Sequence, residues 1–233
     1  MFRRTAAALA AGLLAVVGVG LIGGPTPRAY AASCSGWTSH TQPPPTIRVY
    51  RTETGEVDVV RFKRYTRNVL SREWISSWTR RSLRAGALIV RNYAWYQVLN
   101  WRGGVSADGE CYDIRDDVRD QVYDPDRPVY RTVSDAVASI WDRLLLKRGA
   151  IFPTYYNAGT PGEDCGANAN GTKAYQWGTQ SCGLDGVTAA RILKTYYYPG
   201  VRIIAAPDPS PTPTPLPSTT PTPTPAPTAG DAG

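Results

Sequence analysis

Two terminal segments of this 233-residue chain leave only its middle to fold. Between 207 and 227, ten of the chain's 20 prolines alternate with Thr and Ser. Each proline fixes φ and removes a backbone donor, so the run favours extended polyproline II and builds no core. Residues 207–233 therefore read as a disordered spacer. At the other end, Arg3 and Arg4 precede an almost unbroken apolar run from 5 to 23. Pro25 and Pro27 break it, and Ala29 and Ala31 stand at the −3 and −1 positions of a cut. That layout predicts a secretory signal peptide over 1–32. An uncleaved membrane anchor is the alternative. Cys34 raises a lipoprotein reading, against which residues 31–33 lack the Leu expected before a lipidated Cys. What remains is a polar lead-in, 33–45, and a stretch, 46–206, long enough for one well-buried domain.

Export sets the chemistry available to that domain. Removing Arg3, Arg4 and Arg28 from the 26 Lys and Arg leaves 23 bases against 19 acids. A mild positive charge suits a polyanionic envelope and gives no reason to expect nucleic acid. The single histidine, His40, excludes a multi-histidine metal site and reads as a surface residue. Four cysteines in an oxidising compartment favour disulfides, and no CxxC spacing suggests zinc. Cys165 and Cys182 bracket a Gly/Asn-rich excursion whose closure would stabilise it. The expected pairs are Cys34–Cys111 and Cys165–Cys182, one of three arrangements the sequence permits.

Periodicity gives an α+β domain of short helices and antiparallel strands. Residues 46–52 alternate, Thr54 and Gly55 signal a turn, and 57–60 resume, so 46–60 reads as a hairpin. Phe62, Tyr65 and Val69 then fall at helical spacing, giving a helix to about Glu73. Leu83, Ala87, Val90, Ala94 and Val98 predict a longer helix over 79–99. A third starts near Thr132, with Val133, Val137, Ile140, Trp141 and Leu144 as its stripe and Thr132 and Asp135 resembling a capping box. Residues 150–156 read as a strand and 159–172 as a loop. Thr188 caps a last helix through Tyr196, and 201–204 form a final strand.

Glu73 is the residue whose setting points to chemistry. It ends a helix and is followed by Trp74 and Trp78. Aromatic surroundings strip water from a carboxyl group and raise its pKa, and a carboxyl protonated near neutral pH can act as a general acid. Tryptophans also stack on sugar rings. On composition alone, a surface Glu paired with an Arg is the favoured reading.

The order of segments adds a resemblance. Tyr65, Val69, Glu73, Trp78, Leu83 to Ala85, Ala87 and Arg91 to Ala94 follow the pattern of the SpoIID/LytB family, named for stage II sporulation protein D and the amidase enhancer. Tyr112 and Asp113, then Gln121 to Tyr123, resemble its Asp…Cys-Gln-x-Tyr segment. Residues 136–157 resemble its helix, strand and Tyr-His region. Gln176 to Gly178 resemble Ser-Gln-x-Gly, and 186–201 resemble the closing segment.

The resemblance implies a lytic transglycosylase that cuts peptidoglycan glycan between N-acetylmuramic acid and N-acetylglucosamine, with Glu73 as catalytic acid and base. Trp74, Trp78, Arg91, Gln121, Tyr123, Asn157 and Gln176 are the substrate-binding candidates it suggests. It implies an extracellular or envelope location, peptidoglycan as partner, no nucleic acid, and no membrane after signal cleavage. The amidase-enhancer side of the family suggests the alternative, a noncatalytic wall-binding module with a cell-wall amidase as partner. A structural surface protein tethered through its tail is a third reading. The chain also departs from the pattern. Trp74 and Ile75 replace Met-Pro, Arg115 and Asp120 stand at the cysteine positions, and Tyr156 or Asn157 stands at the histidine. Zinc, which sporulation members can hold there, is not expected, and no cofactor is predicted.

Overall fold

The computed structural model describes residues 34–207, so the expected signal peptide and nearly all of the proline-rich tail lie outside the described residues. Order along the chain is β1 (Thr46–Tyr50), β2 (Val57–Arg61), α1 (Phe62–Glu73), α2 (Arg80–Leu99), β3 (Ile114–Arg115), α3 (Arg131–Ala138), β4 (Arg143–Lys147), β5 (Tyr155–Asn157), β6 (Lys173–Tyr175), α4 (Gln176–Leu184), α5 (Ala189–Tyr196) and β7 (Val201–Ala205). The fold is α+β.

α2 is the centre of the core. Fifteen of its 20 residues are buried, so it is covered on nearly every side, as a central rather than a surface helix must be. α1, α3, α4 and α5 all pack on it. The Thr79 side chain caps it by accepting from the Ser82 amide at 3.2 Å. Where α1 ends, the Trp74 ring lies flat against α2 at Gly86, and a Cβ there would stand 2.6 Å from the indole. Gly86 is therefore what lets the two helices approach around the end of α1.

Three small sheets surround this helical centre. β1 pairs antiparallel with β2, Thr46 opposite Arg61, and parallel with β3, Val49 opposite Ile114. β4 pairs antiparallel with β7, and β5 pairs parallel with β6. The lead-in has no helix or strand, but it packs: the Ser39 carbonyl accepts from the Trp95 indole at 2.9 Å. Disulfides join Cys34 to Cys111 and Cys165 to Cys182.

The hairpin, α1, α2, α5 and β7 lie where periodicity puts them. The third helix is shorter than its stripe. It ends at Ala138, and Leu144 belongs to β4, because an apolar stripe continues into a buried strand without a break in hydrophobicity. The Thr132 and Asp135 capping box does not form. Tyr130 is the N-cap with no side-chain bond, and the Thr132 hydroxyl donates to the Ser76 carbonyl at 2.8 Å instead. The strand expected over 150–156 is largely irregular. Its buried Thr154 hydroxyl donates to the Ile89 carbonyl, and only Tyr155 to Asn157 pair as a strand.

Candidate functional site

Glu73 is the last residue of α1, and its carboxylate faces two later segments. Oε1 accepts from the Val122 amide at 2.9 Å, and Oε2 accepts from Gln176 Nε2 at 3.3 Å. The same Gln176 amide donates to the Glu73 carbonyl at 2.8 Å, so it holds both the side chain and the end of the helix. Gln176 opens α4, positioned by the Trp177 amide on the Ala158 carbonyl and by the Gly178 amide on Glu163 Oε1.

Tyr156 supplies a third partner. Its hydroxyl bonds to the Glu73 carboxylate and itself accepts from Gln121 Nε2 at 3.2 Å. Gln121 is fully buried. Its oxygen accepts from the Tyr65 hydroxyl at 3.1 Å, and its amide also reaches the Val90 carbonyl. A fixed chain of donors thus runs from the core to Glu73, ending on a phenol that burial and the Glu73 charge keep well above its ordinary pKa.

No cation completes this arrangement. Among the described residues Glu73 forms no ion pair, and every partner it has is neutral. Burial pushes its pKa up, and the bonds from Val122, Gln176 and Tyr156 pull the other way, with burial the larger effect. The carboxyl is partly buried, held by neutral donors and biased toward its protonated form. Such a group can give up a proton and take one back.

The other sequence-derived candidates divide by burial. Trp74 is 2% exposed, packs tilted against Tyr156 with ring centroids 5.1 Å apart and donates its indole N–H to Thr179 Oγ1, so it shapes the Glu73 environment from inside and presents no face to a sugar. Arg91 is 0% exposed and donates to the carbonyls of Ile140, Trp141 and Arg143, holding the end of α3 to β4. A guanidinium spent on three carbonyls cannot meet a substrate carboxylate. Gln121 is likewise internal, and it acts by orienting Tyr156. Tyr123 is buried on one side, stacked on Tyr65 at 5.5 Å. Trp78 is partly exposed and packs on Trp177 at 4.8 Å, beside a cavity of about 280 Å³ that Arg80, Arg84 and Thr132 help line. Asn157 is exposed on β5, and the structure gives it no bond to Glu73.

Sequence reading did not single out Tyr156 or the Val122 amide as part of the site. The signal for Tyr156 was that it or Asn157 stands at the histidine position of the family pattern. A backbone amide carries no sequence signal.

The positions that hold zinc in sporulation members do not form a site here. The Arg115 guanidinium lies over the Tyr50 and Tyr112 rings, and Asp120 is taken by Arg102, Tyr93 and the Arg115 amide. A guanidinium and a saturated carboxylate do not make a soft donor set.

Residues 50–145 match the family model SpoIID, Stage II sporulation protein. This part of the chain is similar to the SpoIID domain. Glu73, Trp78, Gln121 and Val122 lie within the matched SpoIID segment, whereas Tyr156 and Gln176 lie beyond its end. No curated protein matches the chain. The SpoIID match suggests a sporulation- or cell-wall-related protein, and two disulfides fit an extracellular or envelope setting.

Proposed function

We propose that the protein acts on peptidoglycan as a lytic transglycosylase with Glu73 as its one acid and base. The observation that carries this is the carboxyl group itself: it lies inside the SpoIID segment, desolvated, without a cation, and held by three neutral donors, of which only the Val122 amide belongs to that segment. Protonated Glu73 gives its proton to the glycosidic oxygen between N-acetylmuramic acid and N-acetylglucosamine as that bond breaks. The resulting carboxylate takes the proton from the muramoyl 6-hydroxyl, whose oxygen bonds to C1. The products are a 1,6-anhydromuramoyl end and a free sugar end, with Glu73 protonated again. A single carboxyl group suffices because the nucleophile belongs to the substrate, unlike two-carboxylate glycoside hydrolysis. Tyr156 and Gln176 fix the carboxylate through both steps. The partly exposed pair of Trp177, beside Gln176 at the start of α4, and Trp78, just before α2, offers an aromatic face to a sugar.

A second reading is favoured by one observation: both Glu73 oxygens are already engaged in tying α1 to residues 122 and 176, as a structural glutamate would be. On that reading the domain grips wall glycan, or stimulates an amidase, without cutting. Incubation with purified sacculi separates the two. The enzyme reading predicts anhydromuramoyl ends with wild type, and Glu73→Gln protein that still sediments with sacculi but forms none. Sedimentation by both proteins with no such ends from either supports the binding module.

A further inference from the structure

The first turns of α1, at the end of the helix away from Glu73, carry an unbalanced set of cations. Arg61, Lys63, Arg64 and Arg67 line an open groove of about 780 Å³ together with Asp58 and Tyr123. Asp58 is the one acid among them, and it is already paired with Arg51 at 3.0 Å. Among the described residues none of the four cations forms an ion pair.

Helix geometry makes this arrangement costly. Arg61 and Arg64, Arg64 and Arg67, and Lys63 and Arg67 are neighbours three or four residues apart, where like charges repel. They also crowd a helix N-terminus, whose dipole disfavours cations, and the first turn holds no acid. Burial and the Arg67 charge both push the Lys63 ammonium toward its neutral form. The buried Arg67 Nε has no hydrogen-bond partner. A sequence that tolerates this repulsion on one concave face is answering an external anion.

The geometry points to this groove as a binding site for a phosphodiester polymer, a site separate from Glu73. At 1.5 Å per residue, the groove's helix residues, Lys63 to Arg67, lie about 9 to 15 Å from Glu73 along α1. The cations converge from the end of β2, through Arg61, and from an arc of about 100° on α1. Tetrahedral phosphate oxygens can accept from all these directions, and arginine forks suit them, whereas a flat carboxylate meets one fork in one plane. Successive charges along a strand match four cations better than one small ion does. The concave shape, with only Val59 as a large exposed apolar side chain at its rim, gives no apolar face to insert in a bilayer, so a soluble polymer is preferred to a lipid headgroup. One segment joins the two sites: Tyr123 lines the groove, and the neighbouring Val122 amide holds Glu73.

Titration calorimetry on the purified full chain tests the site, with a glycerol phosphate oligomer as probe. Polyglutamate and phosphatidylglycerol vesicles serve as the competing chemistries. Binding of the oligomer that weakens with salt is expected. It should fall on the order of tenfold or more in Arg61→Gln/Arg64→Gln, since each lost charged hydrogen bond is worth about a factor of ten. Arg191→Gln/Arg202→Gln removes the same charge from exposed positions elsewhere and is expected to change binding less than about twofold. Amide shifts in the wild-type chain, mapped during titration, are expected over 58–67 and at Tyr123 and Asp124. No oligomer binding, equal binding of polyglutamate, binding to vesicles alone, shifts elsewhere, or an equal loss in the control variant would each overturn the proposal.

Discussion

Glu73 owes its character to its neighbours more than to its position in a helix. An exposed glutamate is ionised at neutral pH. This one is pulled toward protonation by burial and back by three donors, of which the Tyr156 hydroxyl is the one a substitution can remove alone. Tyr156→Phe takes away a bond to the charged form, so the Glu73 pKa rises. Cleavage that needs protonated Glu73 is lost as pH rises through that pKa, and the loss is expected to move upward by ~1 pH unit in the variant. A pH–rate profile measures it, and an unmoved or downward-shifted limb would remove Tyr156 from the site. Asp113 is a second buried carboxyl, with a different consequence. Burial pushes it up to about 6, while the Arg48 amide bond at 2.9 Å lowers it only in part. The folded pKa lies above the ordinary value, so the folded state holds the extra proton. Its stabilising contribution is complete below 3.8 and is lost as pH rises through about 6. Wild type is therefore expected to lose stability relative to Asp113→Asn between about pH 4 and about pH 7 in urea unfolding. A constant difference across that window would contradict the assignment.

At the scale of elements, α4 shows where sequence reasoning stopped. Its sequence holds Gly178 and Gly183, which disfavour a helix interior, and it has no clear apolar stripe. Tertiary packing overrides that preference: a Cβ at Gly178 would run into the Tyr196 hydroxyl, and one at Gly183 into Thr79. The glycines exist for close approach to α5 and to the start of α2, a reason that no local pattern carries. The α1 and α2 helices were legible because their apolar residues repeat every three or four positions. Arg91 sits within that repeat, and its charge suggested a ligand, although the carbonyls it satisfies lie 49 to 52 residues away in sequence. Glu73 and Gln176 were legible through the family pattern, but the contact between them spans 103 residues and is a product of the fold. The Cys165–Cys182 bridge ties the loop before β6 to α4, which carries Gln176. Replacing both cysteines with Ser is expected to cost about 3 kcal/mol, as closing a loop of this size should. Calorimetric unfolding would show it, and a loss well under 1 kcal/mol would mean that packing alone holds α4.

Across the described residues, the architecture places one carboxyl group where four separate stretches of chain converge: the end of α1, residues 121–122, Tyr156 on β5, and the start of α4. The core that fixes them is built around α2, and two disulfides brace it. A basic groove lies at the far end of α1. On the two proposed readings, wall glycan meets the first of these places and a phosphodiester polymer the second. The most direct measurement of the central claim is mass spectrometry of glycan strands, stripped of stem peptides, after incubation with wild type and with Glu73→Gln. The account predicts 1,6-anhydromuramoyl ends with wild type and none above background with the variant. Equal yields from both proteins, or no anhydro ends from wild type, would contradict it.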